Sequence, residues 1–300
     1  MVGGLVIDAR GWRWTQWTAL FFTAASLLSI LVLKETYKRA VLKTRAKRLR
    51  VDGPPGGSGV LSVEIRKFMT STILRPAHML FTEPIVGCLC AYAAFNFGLI
   101  YIFVVASPAA YEETYGFDLV ERGLSFAGFL IGTVVAPIPV IALDHFIYRP
   151  RLERAKGRSH SAELPPEQRL HASMLGSILL PLGLFWYGWT MRPDIHWVCP
   201  IAAQGVAIAG SLQVYIVANL YMMDTYGPLF GASAQGANSL TRYTVSAAAP
   251  LFALQMFRGL GIAWAASLLG FCSLLMAPIP WILFRYGPQI RTRSKYPAGD

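Results

Sequence analysis

A chain of 300 residues that is 54% apolar and only 14% charged, with mean hydropathy +0.45, cannot coat a soluble surface. Soluble domains carry about 25% charged residues. This composition excludes a soluble enzyme domain, a disordered chain and a disulfide scaffold, and leaves an all-α polytopic membrane protein.

Runs of 18 or more nearly uncharged residues predict seven transmembrane helices, at 15–33, 84–107, 124–143, 172–190, 195–221, 233–257 and 261–284. About 20 residues cross the hydrocarbon core, so each run is long enough, some with tilt. The first run lacks the basic flank and small-residue cleavage site of a secretory signal. Residues 34–83 then form a long polar connector: a basic helical stretch at 34–50, a Gly/Pro breaker at 51–59, and a return to amphipathic spacing. The basic helix either lies on the membrane surface or is a solvated charge run.

The net charge of +11 is distributed by side. Residues 34–83 carry 11 Lys and Arg and residues 144–171 carry six, whereas 108–123 has Arg122 against Glu112, Glu113, Asp118 and Glu121. Basic loops stay in the cytoplasm, which predicts an outside N-terminus, a cytoplasmic C-terminus and attraction to anionic lipid of the inner leaflet rather than to nucleic acid.

Local signals mark the helix ends. Asp118 and Glu121 form a D-x-x-E capping box ahead of the third span, and Glu83-Pro84 places an acid and a proline at a helix start. Asp144 falls at the end of the third span, where the helix dipole is negative, so it needs a cation; Arg149, Arg151 and Arg154 are in reach, making this loop a candidate cytoplasmic clamp. Gly128 and Gly132, and Ala232 and Gly236, have the spacing that lets membrane helices approach closely. Pro137, Pro139, Pro181, Pro200, Pro250, Pro278 and Pro280 lie in or beside spans and predict kinks or first turns. Cys88, Cys90, Cys199 and Cys272 all fall in spans without metal-ligand spacing, and no hydrolase, metalloprotease, nucleotide-loop or other cofactor motif occurs.

Arg242 is the one charged residue inside a predicted span. It sits ~15 Å deep, where a lone charge costs at least ~2.5 kcal/mol. It either braces neighbouring helices or lines a transport path. Asp224, the nearest acid in sequence, is about three turns away in depth, which argues against a direct pair. Tyr92, Asn96 and Tyr101 on the second span, Gln204, Gln213, Tyr215 and Asn219 on the fifth, and Asn238 and Ser246 on the sixth are further path candidates, with interhelical hydrogen bonding the alternative. No acid lies in any predicted span, so no proton-carrying carboxylate is evident there.

Three stretches together carry a family resemblance: RPAHMLFTEPIVGCLCAYAAFNFGLIYIFVVASPAAYEETYGFDLVERGLSFAG, PPEQRLHASMLGSILLPLGLFWYGWTMRPDIHWVCPI and YMMDTYGPLFGASAQGANSLTRYTVSAAAPLFALQMFRGLGIAWAASLLGF. They resemble the C-terminal half of fungal major facilitator superfamily transporters, and within these the twelve-helix drug:proton antiporters, which include multidrug and polyamine exporters. Val2-Gly3-Gly4 resembles the tail of that family's helix-five motif. RGWRWTQW at 10–17 and KETY at 34–37 resemble its sixth helix and the start of its central loop. Asp144, Arg149 and Arg151 resemble a degenerate form of the family's cytoplasmic loop motif, and Asn238 with Arg242 matches its A-N-x-x-x-R pattern.

The resemblance implies the sixth helix plus the complete second six-helix half of such a bundle. Residues 1–14 become an extracellular remnant after the fifth helix, 15–33 a membrane helix, 34–83 the cytoplasmic central loop, 84–284 the C-terminal half and 285–300 a cytoplasmic tail. It also implies proton-coupled export of a small cationic or amphipathic drug or polyamine by alternating access, in the plasma membrane, with protons, the lipid bilayer and a missing N-terminal half as partners. A non-transporting subunit or relic is the alternative. A seven-helix receptor fits less well, because the connector is too long and basic and the receptor motifs are lacking.

Overall fold

The computed structural model describes residues 6–7, 9–32, 41, 45, 73–158 and 165–296. The chain divides into two compact units, Val2–Met69 and Thr70–Asp300. The described parts of both are helical, as expected of a chain whose backbone polar groups must be satisfied within each segment. Most of the basic connector, the Val2-Gly3-Gly4 motif and residues 297–300 lie outside the described residues.

In the first unit α1 spans Arg13–Val32. Its hydroxyls are satisfied one turn back: Thr18 donates to the Thr15 carbonyl at 2.8 Å, Thr23 to that of Ala19 at 2.8 Å and Ser26 to that of Phe22 at 2.9 Å. Such back-bonding lets polar side chains sit in an otherwise apolar helix.

The second unit opens with α2 (Arg75–Thr82) and α3 (Pro84–Tyr115), followed by α4 (Leu119–Leu124), α5 (Ala127–Val135) and α6 (Pro137–Leu143). A π-helical turn, Asp144–Tyr148, leads into α7 (Arg149–Arg158). A 3-10 turn at Pro166–Leu170 precedes α8 (His171–Thr190), and α9 (Val198–Leu260), α10 (Ile262–Met276) and α11 (Pro278–Arg291) complete the unit. Among the described residues five stretches are long and apolar enough to cross a membrane: Pro84–Tyr115, Leu119–Arg154, Pro166–Thr190, Val198–Gly227 and Ile262–Arg291. The segments expected as first and sixth spans are helical too but are not among these five. Gln235, Asn238, Thr241 and Arg242 dilute the hydropathy of the sixth.

The helix ends follow from local chemistry. Prolines 84, 137 and 278 occupy first-turn positions, where no amide hydrogen is needed. Gly116 closes α3 at φ 69°, a left-handed conformation that a Cβ disfavours. Asp118 caps α4 by accepting from the Val120 and Glu121 amides at 3.0 and 2.8 Å, and Glu121 reciprocates on the Asp118 amide at 3.1 Å. Asp144 does not end a helix as its sequence position suggested: the chain continues helically through the π turn into α7.

α9 is the central element, packing against α2, α3, α5 and α8. It breaks at Gly227 (φ 59°, ψ −166°), another conformation closed to most L-residues. Asn219 pairs with Asn238 and Arg242 with Tyr215. Because these partners lie nearly symmetrically about Gly227, the two arms form an antiparallel helical hairpin.

The first arm of α9 packs by backbone contact. A Cβ on Gly128 or Gly132 of α5 would strike the carbonyl of Ile201 or Gly205, and a Cβ on Gly176 of α8 would stand 2.7 Å from the Gly210 carbonyl. Gly183 is equally close to the Ala207 backbone, so glycines on α5 and α8 allow both helices to meet α9. Where no water drives helices together, such close approach supplies the dispersion contacts. Gly132→Leu should therefore destabilise the chain by about 1–3 kcal/mol, read as a lower midpoint for thermal loss of monodisperse protein in detergent. Gly157→Ala, whose added Cβ meets nothing within 4 Å, should leave that midpoint unchanged or raise it. Equal midpoints for the two variants would refute packing through Gly132.

Candidate substrate site

The α9 hairpin gathers polar side chains that are far apart in sequence. Asn219 donates to the Tyr215 carbonyl at 2.7 Å and accepts from the Asn238 amide at 3.0 Å, while Gln235 donates to the Asn219 carbonyl at 3.1 Å. These bonds join the two arms on one side of Gly227. One turn beyond Asn238, Arg242 reaches across to the same arm and donates from Nη1 to the Tyr215 hydroxyl.

Arg242 is 8% exposed, so its charge needs local compensation. Three rings supply it: the guanidinium carbon lies 4.3 Å from the ring centre of Phe97 on α3, 4.7 Å from that of Tyr243 and 5.1 Å from that of Tyr215. Phe97 and Tyr215 pack edge to face at 4.9 Å, which fixes α3 against the first arm of α9. Each cation–π contact is worth about 0.5–2 kcal/mol, so the box offsets a desolvation cost of similar size. The Arg242 Nε, however, has no hydrogen-bond acceptor among the described residues.

The other sequence candidates divide by position. Tyr92 and Asn96 lie fully buried on α3, and neither the Tyr92 hydroxyl nor the Asn96 amide group finds a hydrogen-bond partner among the described residues. Tyr101 is 42% exposed and lies one turn beyond Phe97, on that side of α3. Gln204 donates to the Ser107 hydroxyl at 3.3 Å, an interhelical bond. Gln213 and Ser246 are buried with the Gln213 carbonyl oxygen and the Ser246 hydroxyl unpartnered among the described residues. The structure thus joins Tyr215, Asn219, Asn238 and Arg242 directly, whereas no contact links Tyr92, Asn96 or Gln213 to that group among those described.

A second polar cluster forms where the π turn, the 3-10 turn and the Gly227 end of α9 meet. Asp144 pairs with Arg149 at 3.2 Å and with Arg169 at 3.6 Å, and Arg169 also bridges Asp224 at 2.6 Å. The guanidinium of Arg169 stacks over Tyr148, 4.4 Å from its ring centre. Arg151 instead donates to the Gln168 side chain at 3.4 Å. Asp144, Tyr148, Arg149, Gln168 and Arg169 edge a cavity of about 340 Å³ whose remaining wall, His171 apart, is apolar, including Pro137, Val140, Ile141, Ile216 and Leu220. Nearby, Arg291 pairs at 3.4 Å with Glu167, whose side chain is 4% exposed.

Glu83 departs from its expected role as a helix-start acid facing the dipole. It makes no side-chain cap; its carboxylate is buried and accepts from the Tyr226 hydroxyl at 3.2 Å and the Lys295 amide at 2.9 Å. The C-terminal segment is further held where the Tyr296 hydroxyl meets His78 Nδ1 at 2.8 Å.

Sequence reasoning missed Phe97, Tyr243 and Arg169. In the sequence Phe97 and Tyr243 are aromatics within spans, with nothing local to single them out. Arg169 carries a usable signal, because the Pro-Pro-Glu-Gln-Arg run is a proline-bounded pair of opposite charges at the foot of a span.

The family model of the Major Facilitator Superfamily matches residues 1–250. Among curated relatives, "Citrinin biosynthesis cluster MFS transporter mrr1" of Monascus ruber is 36% identical over 99% of the chain and 59% of the relative. "Efflux pump FUB11" of Gibberella moniliformis is 32% identical over 99% of the chain and 50% of its own length. "Polyamine transporter 4" of Saccharomyces cerevisiae is 33% identical over 99% of the chain and 48% of its own length. The chain therefore spans about half to three-fifths of the length of these relatives. No solved structure matches it. The match across most of the chain and the apolar helices agree: this is a multi-pass membrane protein of a transporter family, not an enzyme, and the chain belongs to the major facilitator superfamily.

Proposed function

We propose that the chain forms the second half, with the preceding helix, of a proton-coupled exporter that moves drug-like molecules or polyamines out of the cell by alternating access. The observation that carries this reading is the Arg242 box: one buried charge held beside Tyr215, Asn219 and Asn238, with no ion-pair partner among the described residues. Transporters of this architecture bind substrate near the bilayer midplane between two halves that rock about it. The names of the relatives, an efflux pump and a polyamine transporter among them, support export of small organic molecules.

In this reading the chain crosses the plasma membrane seven times. The basic segments 34–83 and 144–171 and the tail are cytoplasmic, in line with the distribution of Lys and Arg. The Asp144–Arg169–Asp224 cluster is then a cytoplasmic clamp. Protonating either acid removes one partner of Arg169, which gives a physical route from proton binding to helix release.

Two outcomes are expected. Arg169→Gln should cost more stability than Arg149→Gln, by roughly 1 kcal/mol, because Arg169 bridges two acids at 25% side-chain exposure while Arg149 holds one at 66%. Matched thermal midpoints in detergent would remove the clamp. For transport, inside-out vesicles should carry this chain together with the unmatched portion of the Saccharomyces cerevisiae relative. They should accumulate labelled fluconazole or spermidine when the lumen is acid and lose it with a protonophore. Accumulation indifferent to the gradient would reject proton coupling, and none of either probe would reject the export reading.

A further inference from the structure

We infer that Arg242 and its aromatic box form an anion-binding subsite, and that the ligand it takes is a planar aromatic carboxylic acid rather than a cation. This rests on the export reading, since the ligand is then the transported molecule, and it narrows the substrate class.

The argument begins with the geometry of a guanidinium. Its five N–H donors point outward in the plane of the group, while its two faces carry none. The rings of Phe97, Tyr215 and Tyr243, centred 4.3–5.1 Å from the guanidinium carbon, stabilise the cation through their π clouds, but a π cloud is a poorer acceptor for an N–H than an oxygen is. One in-plane donor, Nη1, goes to the Tyr215 hydroxyl, and Nε finds no acceptor among the described residues. A nearly buried Arg whose Nε lacks an acceptor leaves a charged donor that a carboxylate oxygen can satisfy. Tyr215 adds a further contact, because a hydroxyl that accepts from Nη1 keeps its own proton to donate.

The surrounding charges favour the same sign. Along α9 the one acid is Asp224, and it is bridged to Arg169 at 2.6 Å. The acids of α3, Glu112 and Glu113, lie in its last turn, four turns or more beyond Phe97, and Glu112 pairs with Arg122 at 2.5 Å. A polyamine or other cation entering this site would therefore meet Arg242 with no carboxylate beside it among the described residues. The rings also select shape: Tyr243, beside the guanidinium, is 60% exposed, and Tyr101, one turn beyond Phe97, is 42% exposed, so aromatic surface remains open on this side of the site. A ligand with a ring and a carboxylate can use both features at once.

The test uses the full chain in lipid nanodiscs and two probes of matched shape and opposite charge, 1-naphthoate and 1-naphthylmethylammonium, measured by equilibrium dialysis at neutral pH. Naphthoate should bind saturably and at least tenfold more tightly than the amine. Arg242→Gln should weaken naphthoate at least tenfold, with Arg242→Lys falling between. The comparison of the two probes on the unmodified chain needs no variant, so a misfolded Arg242→Gln cannot decide the matter. Equal or tighter binding of the amine, naphthoate affinity unchanged in a folded Arg242→Gln, or no saturable naphthoate binding would each overturn the inference. Dialysis reads binding alone, so naphthoate binding without gradient-driven accumulation in vesicles would sink the export reading and leave the anion subsite standing.

Discussion

Backbone contact along the first arm of α9 is the constraint on which the second unit depends. Lipid gives helices no hydrophobic reason to associate, so they must approach closely enough for dispersion to hold them. Gly205 and Gly210 on α9 answer Gly128 and Gly132 on one neighbour and Gly176 on another, and Ala207 answers Gly183. With two flanks committed to small residues, large side chains are left to the side that faces α3. There Phe97 meets Tyr215, and elsewhere on α3 Phe103 meets Tyr187 of α8 edge to face at 5.0 Å. The arm that bears Tyr215 and Asn219 is thus held rigidly by its other two faces.

Charge is handled by the same economy of position. Acids and bases stand at the helix ends, where they pair: Glu112 with Arg122 at one end, Asp144 and Asp224 with Arg169 at the other. Arg242 stands in the middle of a helical arm, and among the described residues it is accommodated by rings and a hydroxyl instead of a counter-ion. A counter-ion would neutralise it permanently. Aromatic faces stabilise the cation and leave its positive potential available to a ligand, which is why the composition of the box bears on function.

Much of this was legible in the sequence because it follows from one-dimensional rules. Span-length apolar runs, the Asp118–Glu121 box, the proline starts and the Gly128/Gly132 spacing each depend on neighbours within a few residues. Arg242 stood out because a charge in an apolar run is conspicuous. What escaped depends on how the chain folds back at Gly227, since only that turn brings Tyr215 and Asn219 beside Arg242 and Asn238. Phe97 was hidden for a related reason: an aromatic in an apolar run looks ordinary until its partner is known. Asp144 was read as a helix end because hydropathy stops there, whereas the helix itself continues on polar residues.

The Gly227 hinge also ties the two polar clusters together mechanically. Asp224 stands just before the break, and Asn219 is five residues earlier on the same arm, about 7.5 Å along the axis. The first arm is packed on two sides by glycine contacts, and the second is joined to it through a positive-φ glycine. In the proposed cycle, loss of the Arg169 bridge to Asp224 frees the end of the first arm nearest the hinge. The bonds between arms, Asn219 to Asn238 and Tyr215 to Arg242, then carry the change directly to the box. In that proposal, coupling between clamp and site needs no long pathway, because the Gly227 break and the row of cross-arm hydrogen bonds both lie on α9.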